Sequence, residues 1–222
     1  MTNSKSTKIL GIIISMLLFF SIITGIFGLN SHHGLETASA FWLSRFEFWV
    51  LVILIYLFAK KVEKDKFLLW KEQRKNLLFY ILSIIAILVF ITVLLTGISV
   101  VLKNTGLSTN DQVVSSLNAL LCNNLLLLIF TCLTAAITEE LIFRGYILPR
   151  LDLLLKNKWL SIFLSALLFG LAHIGYGDFI RMLFPFIIGL IFGFYYYRYR
   201  SLAVLIICHF LMDFYSTYGA CK

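Results

Sequence analysis

Three acidic residues and two histidines stand well inside long apolar stretches of this chain, Glu139, Glu140, Asp213, His173 and His209, and Arg144 follows Glu140 by four. Placing a charged side chain at bilayer depth costs roughly 3 kcal/mol or more unless it is paired, so such residues are functional candidates by default. Their spacing sorts them. Glu140 and Arg144 are four apart, which puts them on one helix face with the glutamate on the favoured N-terminal side. Glu139 is adjacent and points about 100° away around the helix. One glutamate can therefore be held by an ion pair while the other faces a cavity. His209 and Asp213 are also four apart and share a face, as do Phe169 and His173.

A carboxylate beside a neutral imidazole can polarise water for attack on a carbonyl. A second histidine with an aspartate can hold or stabilise a developing oxyanion. Two histidines plus carboxylates also form a zinc-like ligand set, with Glu139, His173 and His209 as the candidate ligands. Both arrangements support hydrolysis, and no HExxH motif or phosphate-binding loop competes with them. Proton and ion pathways use buried carboxylates and histidines too. A small proton-coupled transporter is thus an alternative, although the sequence has no inverted repeat and no matching pair of broken helices.

The elements that position these residues follow from hydropathy. The 222-residue chain is 60% hydrophobic and 14% charged. Its apolar residues come in continuous blocks, each near the roughly 20 residues needed to cross a bilayer. Only helices or closed barrels satisfy their backbone groups in lipid, and the blocks do not alternate. The expectation is an all-α polytopic membrane helix bundle of about seven spans, near 9–29, 42–59, 77–102, 115–148, 159–175, 180–197 and 201–217. The N-terminal apolar run exceeds the 7–15 residues of a signal-peptide core, so it reads as a retained first helix despite Ala38-Ser39-Ala40.

Relative depth brings the polar residues to one level. Counting from the inner end of each span at about 1.5 Å per residue, Glu139 lies roughly 14 Å up, His173 roughly 21 Å, His209 roughly 12 Å and Asp213 roughly 18 Å. All four fall near the middle of a core about 30 Å thick.

The net charge of +8 reflects membrane topology rather than nucleic-acid binding. Fifteen of the nineteen Lys and Arg residues fall on one side, leaving Arg45, Lys103, Arg181 and Lys222 on the other. That bias predicts a multi-pass protein of the cell (plasma) membrane with its N-terminus inside. The Lys60–Lys75 stretch reads as an amphipathic helix on the inner surface. Tyr195, Tyr196, Tyr197 and Tyr199 read as an interfacial aromatic belt, and Gly189 with Gly193 as a helix-packing step. Cys122, Cys132, Cys208 and Cys221 read as reduced packing residues. His32 and His33 fall in an outer loop and receive no role.

The motifs together resemble the CAAX protease and bacteriocin-processing (CPBP, or Abi) family of intramembrane proteases, which includes type II CAAX prenyl endopeptidases. EExxxR matches Glu139, Glu140 and Arg144; FxxxH matches Phe169 and His173; HxxxN/D matches His209 and Asp213. Hydropathy gives 1–114 as N-terminal membrane helices carrying the basic inner segment, and the first three helices show no specific match. The resemblance covers roughly 115–217 and implies a catalytic helical core there, in one integrated membrane domain. It implies that Glu139 and His173 activate the water and that His209 and Asp213 stabilise the oxyanion. Glu140, Arg144 and Phe169 would support the site. Such proteins have been described as metalloproteases and as metal-free glutamate proteases, and the latter suits Glu139 as base, so no cofactor is expected. The expected substrate is a membrane-associated or prenylated, CAAX-type protein or peptide. Where eukaryotic-type prenyl proteases carry Asn, this chain has Asp213. A non-catalytic immunity or scaffold protein is the remaining alternative.

Overall fold

The computed structural model describes residues 2–27, 38–104, 112–174 and 179–221. His32 and His33 lie outside them. The order is α1 (Thr2–Phe27), α2 (Ala38–Phe58), α3 (Leu77–Asn104), α4 (Gln112–Cys122), α5 (Leu125–Glu139), α6 (Leu148–Leu155), α7 (Lys158–Leu171), α8 (Phe179–Tyr199) and α9 (Leu202–Ala220). Wider π-helical turns extend α2 over Ala59–Glu63 and join α5 to α6 over Glu140–Ile147. Among the described residues six helices are long and apolar enough to cross a membrane, and α7 is a shorter apolar helix. The molecule is an all-α, multi-pass membrane helix bundle.

The expected fourth span, 115–148, is divided. Asn124 takes an extended conformation and its side chain accepts from the Leu127 N–H, capping α5 and ending its continuity with α4. Asn157 caps α7 in the same way through the Leu160 N–H. Such caps satisfy N-terminal N–H groups that the helix itself leaves without acceptors. At the opposite ends, Lys64, Lys156 and Arg200 adopt left-handed backbone conformations as the helices stop. Basic residues there complement the partial negative charge of a helix C-terminus.

The stretch after Glu63 is not the expected amphipathic helix. Residues 64–76 run as an irregular strap across one end of the bundle. Side-chain packing outweighs an interfacial helix here: Phe67 stacks on Tyr146, Trp70 packs on Tyr196, and the Arg200 guanidinium sits 3.6 Å from the centre of the Trp70 ring. Glu72 accepts a 3.0 Å hydrogen bond from the Ser201 hydroxyl. Asp65 accepts from Lys8 Nζ at 3.1 Å. Burial alone would raise the Asp65 pKa, but the Lys66 N–H and the Lys8 ammonium outweigh it and hold the carboxyl below its ordinary value.

Beneath the strap lies an ion pair that hydropathy counting assigned to loops. Arg150 forks onto the Glu63 carboxylate, and the Tyr146 hydroxyl donates to Glu63 at 2.7 Å. Both charged side chains are fully buried. Arg150 also donates to the Phe67 and Lys66 carbonyls, so the strap's backbone is part of the network. Arg144 and Arg150 are therefore buried partners rather than inner-loop charges, and the charge asymmetry rests on the remaining basic residues.

Two further expectations change. Cys122 and Cys221 form a disulfide with Cα atoms 5.3 Å apart, tying the end of α4 to the end of α9, whereas Cys132 and Cys208 are buried free thiols. Tyr195 and Tyr196 are buried in the core against α3 and α9 rather than lying in an interfacial belt. The glycine step holds: a Cβ on Gly189 would stand 3.0 Å from Ala166 Cα, so the missing side chain lets α8 press against α7.

Candidate active site

Glu139 closes α5, and Glu140 opens the π-helical turn. A π-helical insertion widens the helix and re-aims its side chains, and such insertions recur at functional sites. Here the shifted ladder runs from the Leu148 N–H to the Phe143 carbonyl, and Ser165 Oγ on α7 donates to that same carbonyl at 3.1 Å. The turn is thereby anchored to α7, the helix that leads to His173.

Glu140 is the hub. Its Oε1 accepts from Arg144 Nη1 at 2.7 Å and from His209 Nδ1 at 2.9 Å. The Arg144 guanidinium lies 4.2 Å from the Phe169 ring centre and 5.3 Å from that of Phe192. A planar guanidinium between two aromatic faces gains cation–π attraction where water is excluded. The Glu140–Arg144 pair foreseen from spacing is present, but Glu140 also fixes a histidine 69 positions away, which no local pattern announces.

Glu139 points elsewhere. Its Oε2 is buried, makes no hydrogen bond, and lies 4.0 Å from His173 Nε2 and 3.9 Å from His209 Nε2. His173 Nδ1 is 2.8 Å from the Phe169 carbonyl. A carbonyl only accepts, so Nδ1 carries the proton and the neutral ring leaves its lone pair on Nε2, toward Glu139. His209 likewise presents its Nδ1 proton to Glu140, which leaves Nε2 to face Glu139 and, at 3.4 Å, Asp213 Oδ2. The sequence motifs thus converge in space: all four polar residues expected at one depth meet, with Phe169 edge-on to His173 at 4.9 Å between ring centres.

These side chains line a cavity of about 840 Å³. Its walls are apolar residues of α3, α8 and α9, with Thr131, Arg45 and Arg181 as further polar groups. Motif reading missed both arginines; each stands in an apolar block, and that was the available signal. Phe192 carries no such signal and emerges only from packing.

The zinc alternative can be tested on the donors. Zinc–ligand bonds of about 2.0–2.2 Å separate tetrahedral ligands by about 3.4 Å. The Glu139–histidine separations are wider, and among the described residues no three His, Cys, Asp or Glu side chains stand in a metal-holding arrangement. The residues do not fit a zinc centre as they stand.

Residues 121–215 match the family model described as type II CAAX prenyl endopeptidase Rce1-like. No curated protein and no solved structure gives a match. The matched stretch runs from the end of α4 into α9 and contains Glu139, Glu140, Arg144, Phe169, His173, His209 and Asp213. At the level of the family the activity is that of a CAAX-type intramembrane protease. The part of the chain that carries this polar centre is similar to the Rce1-like type II CAAX prenyl endopeptidase family.

Proposed function

We propose that this protein is an intramembrane endopeptidase of the plasma membrane, with its N-terminus inside, that hydrolyses a peptide bond using water held between Glu139 and His173. The observation that carries the reading is the buried, unbonded Glu139 Oε2 placed about equally from His173 Nε2 and His209 Nε2, 4.0 and 3.9 Å. A gap of this width admits one water bonded to both the carboxylate and the His173 lone pair.

The steps balance without a cofactor. Water gives a proton to Glu139 as its oxygen bonds to the substrate carbonyl carbon. The carbonyl π electrons move to oxygen, and the oxyanion is met by the Nε2 proton of His209, which acts as an imidazolium, its Nδ1 proton held by Glu140 and its charge balanced by Glu140 and Asp213. Glu139 then passes its proton to the amide nitrogen, the oxyanion's electrons re-form the carbonyl, the C–N bond breaks with its electron pair going to nitrogen, and a carboxylic acid and an amine leave. Asp213, on the Nε2 side of His209, orients that ring; a carboxylate is a poor donor to an oxyanion, so the donor is His209. Arg144 and Glu140 hold the ring from its other side.

The cavity volume suits a short extended segment of a membrane-associated protein or peptide, of which a prenylated CAAX-type chain end is one kind. The test is hydrolysis by the purified protein in lipid vesicles, read as new N-termini on a quenched peptide library carrying a lipid or apolar anchor. Wild-type protein is expected to cleave, and Glu139→Ala and His173→Ala variants that remain folded are expected not to. Undiminished cleavage by Glu139→Ala would sink the mechanism.

A further inference from the structure

Among the described residues, the cavity's lining extends toward one end of the bundle only. Its described lining residues come from the start of α2, the middle of α3, α4, the stretch of α5 from Thr131 to Glu139, the end of α7, the first half of α8 and mostly the last half of α9. Asn118, Ser216 and Thr217 line it within a few residues of Cys122 and Cys221, which the disulfide joins. Glu139, at the end of α5 but midway along the Leu125–Leu155 span, and His209, near the middle of α9, lie deeper. Below them Phe143, Arg144 and Tyr146 are buried, and the Glu63–Arg150 pair with the strap closes the far end.

Two independent features say which end faces which compartment. The closed end carries the exposed basic residues Lys60, Lys61, Lys64, Lys71, Arg74 and Lys75, the side that positive charge marks as cytoplasmic. The open end carries a disulfide, a bond that persists in oxidising surroundings and is rare where thiols are kept reduced. Charge placement and redox chemistry agree.

We infer that the cavity is loaded from the extracytoplasmic side, so that its substrate is a polypeptide segment exported across the membrane or anchored in its outer leaflet, not a cytosolic protein presented from within. This rests on the proteolytic reading for the word substrate, but the side of access stands on its own. Leu88 and Leu95 of α3 and Pro185 and Ile188 of α8 line the cavity, apolar walls that suit a lipid-anchored chain.

The test is thiol labelling with a membrane-impermeant reagent in a Glu139→Ala, Cys132→Ala, Cys208→Ala background, where catalysis plays no part. Ser216→Cys and Asn118→Cys report the mouth, and Lys71→Cys reports the strap. In right-side-out vesicles the two mouth cysteines are expected to label and Lys71→Cys not; inside-out vesicles are expected to reverse this. Mouth labelling confined to inside-out vesicles, or labelling of mouth and strap from the same side, overturns the inference. Undiminished proteolysis by Glu139→Ala would instead remove the enzymatic reading and leave the labelling pattern intact.

Discussion

Glu140 and His209, 69 residues apart in the chain, share a 2.9 Å hydrogen bond that joins the π-helical turn to α9. The same oxygen holds Arg144 at 2.7 Å, so one buried atom orients both a charged partner and a site histidine. Removing one member of a buried ion pair costs about 3–5 kcal/mol because the other charge is left without a partner. Glu140→Ala is therefore expected to lower stability by that order and to lose activity with it. Thermal unfolding in detergent checks the first, and a stable but inactive Glu140→Ala would show that the residue acts in the chemistry rather than in the scaffold.

Glu139 is expected to behave in the opposite way. Its Oε2 makes no hydrogen bond, so Glu139→Gln leaves no buried charge orphaned and keeps the volume. The folded protein is expected to persist while hydrolysis falls by roughly 10²–10⁴-fold, the usual worth of a positioned general base. His173→Ala is expected to show a loss of the same order. Unfolding midpoints measured beside rates separate this outcome from that of Glu140.

Asp213 distinguishes orientation from direct participation. Its carboxylate lies 3.4 Å from His209 Nε2 and is the most exposed member of the group. If it only orients the ring, Asp213→Asn retains most of the rate, since an amide oxygen also accepts, whereas Asp213→Ala falls further. Loss of one oxyanion donor costs about 10²–10³-fold, so a drop of that size in Asp213→Asn would assign the donor role to Asp213 instead.

Chelation addresses the metal question directly. With Glu139–histidine separations of 4.0 and 3.9 Å, hydrolysis is expected to survive prolonged treatment with EDTA and phenanthroline. A loss restored by added zinc would require the side chains to close by about half an ångström around an ion.

How much of this was legible in the sequence depends on the range of the interaction. The pairs at four-residue spacing, Glu140 with Arg144 and His209 with Asp213, were readable because helix geometry alone sets them. Their common depth was readable because rise per residue is constant. The Glu140–His209 bond was not, since it depends on how α9 packs against the π-helical turn. Nor was that turn itself, because the block is apolar nearly all round and the roughly 100° phase shift of a one-residue insertion leaves no mark in its hydropathy. The Cys122–Cys221 bond escaped for a similar reason: spacing says nothing about two cysteines 99 positions apart. The strap was misjudged because Phe67 and Trp70 look like one face of a surface helix, while in the fold they cap Tyr146 and Tyr196.

The pair missed most completely, Glu63 with Arg150, gives the last prediction. Both side chains are fully buried, and Tyr146 and two strap carbonyls complete the network. It lies at the closed end, away from the cavity, so its role is to fasten the strap and the π-helical turn of α2 to α6. Glu63→Ala leaves the guanidinium buried without its anion and is expected to cost about 3–5 kcal/mol. Arg150→Met leaves the carboxylate instead and is expected to cost a similar amount. Replacing both, as Glu63→Leu with Arg150→Met, removes both charges and is expected to recover much of the loss, because an apolar pair of similar volume often matches a buried ion pair. A double-mutant cycle on unfolding in detergent reads this as strong non-additivity. Additive losses would mean that the two residues stabilise the protein through separate contacts, and the strap would then be held chiefly by its aromatic packing.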